Sequence, residues 1–169
     1  SLVCFPSNHP ISTYSIPPSV TSIGDSAFCH CFDLQSITIP ASVTSIGNAA
    51  FSYCSNLQSI DVESNNLNYV SRDGILFTNN LEILICFPSK VPITTYSVPS
   101  SVTSIADFAF SECLTLQSIT IPSSVTSIGK CAFFRCSVLQ SIEIPTHVTS
   151  INDSAFSHCS DLQTITIPT

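Results

Sequence analysis

The sequence predicts an α/β solenoid, a stack of short coils with a parallel sheet on one face and short strands or helical turns on the other. Three observations carry this. The heptad apolar-x-x-apolar-x-apolar recurs from Ile11, Leu34, Leu57, Ile93, Leu116, Leu139 and Leu162, almost always followed by proline. The intervals are 23, 23, 36, 23, 23 and 23 residues, so one coil carries a 13-residue insertion. Columns such as Val20, Val43, Val102, Val125, Val148 and Phe28, Phe51, Phe110, Phe133, Phe156 hardly vary. Periods of 20 to 50 residues mark supersecondary units that bury their apolar faces only against neighbours.

Within the unit LQSITIPASVTSIGNAAFSYCSNL, Leu34, Ile37 and Ile39 alternate with Ser36 and Thr38, the period of a strand with one face inward. Pro40, lacking an N–H for the ladder, ends it. Val43 and Ile46 form a second apolar pair. Gly47 is read as a positive-φ position before a helix cap at Asn48. Ala50, Phe51, Cys54 and Leu57 then fall on one face of a short helical turn.

The insertion, about residues 64–90, interrupts the regularity. Glu63 replaces the strand-ending proline, and residues 74–77 and 81–87 read as hairpin strands across Thr78, Asn79 and Asn80. A projecting hairpin places specificity on one face, and the alternative is a cover for the sheet edge. Residues 2–23 match 84–105 nearly residue for residue, so the chain is expected to begin partway through a coil. Residues 1–169 are read as one array with no internal domain boundary, a fragment of a longer one.

Of nine cysteines, Cys31, Cys54, Cys113, Cys136 and Cys159 each precede a heptad leucine by three residues and are expected to stack as a buried, reduced ladder. Cys4 and Cys86 are equivalents in the duplicated segment, and Cys29 and Cys131 are singletons. No C-x-x-C pair points to zinc or redox chemistry, and spacing alone assigns no disulfide to Cys4, Cys29, Cys86 or Cys131.

Composition narrows the function classes. Four Lys plus Arg against 11 Asp plus Glu give a net charge of −7, which disfavours nucleic acid, whose phosphates need clustered cations. The longest apolar run, residues 83–87, is far short of a membrane span. His9, His30, His147 and His158 have no nucleophile and carboxylate set beside them. The run from Asp61 begins like a calcium loop but has Asn66 and Arg72 where glycine and glutamate belong. Asn152-Asp153-Ser154 is the single glycosylation sequon, with Asp153 alternatively a helix cap. No enzyme, cofactor or metal site is expected.

The strings SVTSIGDSAFCHCFDLQSITIP, SVTSIGNAAFSYCSNLQSI and SVTSIGKCAFFRCSVLQSIEIP resemble the BspA-like leucine-rich repeats, also called the Treponema pallidum type, with a wording similar to the protist, trichomonad-like branch. The resemblance implies a leucine-rich-repeat right-handed superhelix in a surface-exposed or secreted protein that attaches to host cells or matrix. The expected partner is therefore a protein or glycoprotein, without nucleic acid and without membrane insertion by this segment. The runner-up is an intracellular or peripheral interaction scaffold, which reduced thiols favour.

Candidate contact residues are Thr38, Asp61, Ser97, Thr120, Glu143 and Thr166 on the strand face, with Thr78, Asn79 and Asn80 on the insertion turn. Ser36, Ser59, Thr95, Ser118, Ser141 and Thr164 form a parallel outward column, with solvation of the sheet as the plain alternative. The column of Gln35, Gln58, Gln117, Gln140 and Gln163 is read as an amide stack. Tyr53, Phe108 and Phe134 face outward on the turn side and become evidence only as a contiguous patch. Glu112 and Arg135 share a column, where a surface ion pair contributes about 0 to 1 kcal/mol.

Overall fold

The computed structural model describes residues 1–2, 4–6 and 10–167, so His9 lies outside the described residues. Every heptad forms a front strand: β1 (Thr13–Ser15), β3 (Ser36–Ile39), β5 (Ser59–Val62), β9 (Thr95–Ser97), β11 (Ser118–Thr120), β13 (Ser141–Glu143) and β15 (Thr164–Thr166). The Val-x-x-Ile segments form second strands: β2 (Ser22–Ile23), β4 (Ser45–Ile46), β10 (Ser104–Ile105), β12 (Ser127–Ile128) and β14 (Ser150–Ile151). The fold is a β-solenoid, with parallel front strands on one face and parallel second strands on another. Front strands pair in parallel and in register, Ser36 on Ser59 and Ile37 on Ile60, so each column is continuous where the ladder runs. In β3, Ile37 and Ile39 are fully buried while Ser36 and Thr38 are half-buried.

The expected helical turns are replaced. Among the described residues there is no helix, and 49–53 form tight turns with positive φ at Ala49 (55°) and Tyr53 (59°). Ser26 and His30, Phe108 and Glu112, Cys131 and Arg135 repeat the pair. Left-handed backbone costs an L-residue about 1 to 2 kcal/mol, and the ladder explains why it is adopted. The alternate N–H groups of Ser26, Phe28 and His30 donate to Asn48, Ala50 and Ser52 of the next coil at 2.9, 2.8 and 3.2 Å. A helix would turn those donors back onto their own coil and forfeit the joint between coils.

Gly47 is likewise corrected. It has no positive φ; a Cβ there would lie 2.4 Å from the Asp25 backbone nitrogen. Asp25 Oδ1 accepts from the Asn48 N–H at 2.7 Å, and Asp107 accepts from Lys130 N–H at the same distance beside Gly129. Glycine is needed for close approach to the preceding coil.

The core is a spine of phenylalanines. Phe28 stacks on Phe51 at 5.5 Å, and Phe110 lies between Phe87 and Phe133 at 5.1 and 4.9 Å. Phe5 and Phe87, absent from the expected column, belong to it and are equivalents in the duplicated segment. The thiol ladder has a specific job: Cys54, Cys136 and Cys159 each donate S–H to the carbonyl of Phe28, Phe110 and Phe133 at 3.0 Å. All nine cysteines are free thiols, with Cys4 exposed; of the ladder Cys31, Cys54, Cys113 and Cys136 are buried as expected, whereas Cys159 in the last coil is half-buried.

The insertion is a three-stranded antiparallel meander, β6 (Tyr69–Arg72), β7 (Ile75–Thr78) and β8 (Ile83–Cys86). The sequence reading missed β6, although Asp73-Gly74 (φ 53° and 78°) is the signal of a two-residue hairpin turn. The strands do not project. Ile75, Leu76 and Phe77 are all buried, and alternation sends Leu76 into the N-terminal core and Ile75 and Phe77 into the C-terminal one. The meander is thus a wedge in the stack. It divides the front strands into sheets of three (β1-β3-β5) and four (β9-β11-β13-β15), while β8 joins the second-strand ladder beside β10. The β4 edge meets it through one side chain: the Ile46 N–H donates to the Tyr69 hydroxyl at 2.9 Å.

Candidate interaction surfaces

Parallel register sets the strand-face residues. Thr38 sits beside Asp61, Ser97 beside Thr120, and Glu143 beside Thr166. Thr120 and Glu143 line one recess of about 380 Å³. The wedge separates Thr38 and Asp61 from the other four, since β5 and β9 do not pair, so the expected seven-strand floor is two shorter floors. All are exposed except Thr38, which is half-buried. The glutamine column is linked by backbone, Gln58 N–H to Gln35 carbonyl at 2.7 Å; among the described residues no glutamine side chain makes a hydrogen bond, so the amide stack is not formed.

The insertion turn is exposed but internally tied. Thr78 Oγ1 donates to Asn80 Oδ1 at 2.7 Å and accepts from the Ile83 N–H at 3.0 Å, and Asn80 Nδ2 donates to Glu82 at 2.6 Å. Two of the three residues therefore shape the turn, and Asn79 is the one whose side chain is spare among the described residues.

On the turn side the outward aromatics do form a row. His30 stacks on Tyr53 at 4.6 Å, Tyr53 meets Phe134 edge-on at 6.0 Å, and Phe134 meets His158 at 5.2 Å. Tyr53 and Phe134 belong to coils three steps apart, about 14 Å in an unbroken ladder, so the rings lean together across the junction. Arg135 lies over Phe134 at 5.4 Å and pairs with Glu112 at 3.2 Å. Burial first, then the nearby Cys131 and Glu112, pushes the Tyr53 phenol up. Phe32 and Leu114, 46% and 42% exposed, flank a recess of about 530 Å³ beside this row. Phe108, the third expected aromatic, instead lines a separate cavity at the wedge. Nothing in the period announces the row, because His30, Tyr53 and Phe134 sit at variable positions; only the fold makes them neighbours.

Among the described residues no three His, Cys, Asp or Glu side chains cluster as metal ligands, and no helix is long and apolar enough to cross a membrane. Asn152 uses its amide to donate to the Ile128 carbonyl at 3.1 Å, and Asp153 caps no helix.

A β-solenoid with a flat polar floor and an aromatic row half-buried at Tyr53 and Phe134 has the architecture of repeat arrays that present extended binding surfaces. Comparison places it more closely. The profile of the BspA type leucine-rich repeat region matches residues 3–91 and 84–169 with six copies, and the chain belongs to that family. A leucine-rich repeat protein from Eubacterium ventriosum superposes with a TM-score of 0.88 at 36% identity, over 90% of this chain and 41% of that one. A leucine rich cell surface protein from Faecalibacterium prausnitzii gives 0.57 at 26% identity, over 92% and 59%. The pneumococcal vaccine antigen PcpA, at 20% identity and 0.60 over 92% and 56%, shares the fold. The chain thus spans between 41% and 59% of the length of these proteins. No curated protein matches the sequence.

Proposed function

We propose that this array is a binding module of a cell-surface or secreted adhesin, engaging a protein or glycoprotein of a host cell or matrix, and that it works by binding rather than catalysis. The observation that carries this reading is the aromatic row His30–Tyr53–Phe134–His158 with Arg135, since aromatic residues and Arg are enriched at protein interfaces, and Tyr and Arg at their energetic centres. The floors of Thr38 and Asp61 and of Ser97, Thr120, Glu143 and Thr166, with the turn of Thr78, Asn79 and Asn80, extend the contact. Surface location draws on the family and on the relative whose name describes a cell surface protein. The nine free thiols are the observation that favours the second reading, an intracellular or peripheral scaffold.

The test is adhesion of the array to immobilised matrix proteins and epithelial cells. Phe134→Ala is expected to weaken attachment at least tenfold, with smaller losses for Asn79→Ala and for Thr38, Thr120 and Thr166 changed together. Attachment by Phe134→Ala equal to the parent's would remove the row from the site, and no attachment by the parent would favour the scaffold.

A further inference from the structure

The junction at the wedge leaves one internal ladder edge open. In the coils beginning at Ser26, Phe108 and Cys131, alternate N–H groups all donate to the next coil: Phe108, Phe110 and Glu112 to Lys130, Ala132 and Phe134, and Cys131, Phe133 and Arg135 to Asp153, Ala155 and Ser157. The equivalent donors of the coil before the wedge are Ala49, Phe51 and Tyr53, and they have no acceptor among the described residues. Where that acceptor chain would lie there is a cavity of about 280 Å³. One wall is Ala49, Ala50 and Phe51; the other is Ile85, Cys86 and Phe108.

Phe51 is buried and Ala49 and Tyr53 are half-buried, with Ala49 and Phe51 in the cavity lining and Tyr53 beyond it; a fully buried unpaired donor costs about 1 to 3 kcal/mol, and strand addition satisfies such groups with the carbonyls of a guest chain. The volume lies just below the roughly 300 Å³ at which ligand sites begin, too small for a folded element, so only part of an extended segment enters it. Its lining mixes apolar Ile46, Phe51, Ile85 and Phe108 with polar Asn48, Ser52 and Thr78, Asp107 is its one acidic group, and the protein carries −7 overall, so the guest is neutral or basic.

We propose that this cleft binds an extended, uncharged or basic segment of a partner protein, whose alternate carbonyls accept from Ala49, Phe51 and Tyr53 and whose small and aromatic side chains fill the cavity as a coil's own turn would. The form of the guest follows from the array itself: residues 48–53, NAAFSY, present the carbonyls of Asn48, Ala50 and Ser52 to the same three donors of the preceding coil. The inference rests on the reading of the array as a protein-binding module, and it adds a second site that adjoins the aromatic row at Tyr53.

The experiment uses the acetylated, amidated peptide NAAFSY and 15N-labelled protein. Titration is expected to shift the amides of Ala49, Phe51 and Tyr53 and to slow their hydrogen exchange at least tenfold at saturation. Ile85→Tyr, which fills the cavity, is expected to weaken binding at least tenfold. Ile83→Tyr at the partly exposed rim does the same should the first variant fail to fold. Unmoved amides at 49, 51 and 53, shifts confined to the end coil at Ser154, Phe156 and His158, or full binding by a folded cavity-filling variant would overturn the proposal. Adhesion lost on Phe134→Ala together with unmoved cleft amides refutes the cleft alone. Amide protection in a parent that attaches to nothing refutes the adhesin reading and leaves the cleft standing.

Discussion

Truncating Phe133 to alanine tests the spine most directly. Its ring is fully buried, stacked within 9° of parallel on Phe110 at 4.9 Å and on Phe156 at 5.3 Å. Buried Phe→Ala changes cost about 3 to 5 kcal/mol, and aromatic pairs add about 0.5 to 1.5 kcal/mol beyond area. Measured truncation costs already contain such ring contacts, so two lost partners place Phe133→Ala in the upper part of that range, about 4 to 5 kcal/mol. Since urea slopes are about 1 to 3 kcal/mol per molar, a central slope of about 2 moves the unfolding midpoint down by about 2 M, read by circular dichroism. Thr120, exposed on β11, serves as the comparison, and Thr120→Ala is expected to stay within about 0.5 kcal/mol of the parent. A midpoint shift below about 0.5 M for Phe133→Ala, or a larger shift for Thr120→Ala, would refute the assignment of inward and outward columns.

Tyr69→Phe removes the hydroxyl that accepts from Ile46 and is expected to cost about 1 to 3 kcal/mol, seen as faster exchange of the Ile46 amide with distant coils unchanged. Gly129→Ala drives a Cβ to 2.5 Å from the Asp107 nitrogen and is expected to destabilise by at least about 1 to 3 kcal/mol, whereas a propensity argument predicts a gain. Stability should fall at alkaline pH: burial raises Cys86 and Tyr96 from 9.0 and 10.0 to about 12, so between about pH 9 and 12 the unfolded chain has lost protons that the folded chain keeps. Denaturation midpoints that stay level across that window would contradict it. In native buffer a thiol reagent should label Cys4 rapidly and Cys54, Cys113 and Cys136 only on the timescale of unfolding.

The front strands, the phenylalanine spine and the thiol ladder were legible because each is an inward column repeating at a fixed step. What period alone could not supply was the conformation between strands. A run such as Ala50, Phe51, Cys54 and Leu57 has helical spacing, yet the donors of the adjacent coil compete for its backbone and win, producing positive φ at Ala49 and Tyr53. The wedge was half legible. Its second turn was found, while Asp73-Gly74 was passed over, and with it the strand that places Tyr69 against β4. The aromatic row was named residue by residue but not as a row, since contact between Tyr53 and Phe134 arises across three coils and from no local pattern.

The wedge also has a mechanical meaning. Ladder hydrogen bonds in a solenoid run along its long axis, so tension between the two ends loads every coil joint in series, and a series chain yields at its weakest joint. That joint lies at the wedge, where the Tyr69 hydroxyl stands in for the second-strand ladder, Ala49, Phe51 and Tyr53 N–H have no acceptor among the described residues, and the front side is held by Ile60 N–H to Gly74, Lys90 N–H to Leu57 and Ser71 Oγ to the Ile60 carbonyl. An array pulled by its attachments would extend there first, lengthening by one step while both phenylalanine stacks stay intact, much as a fuse protects the circuit on either side.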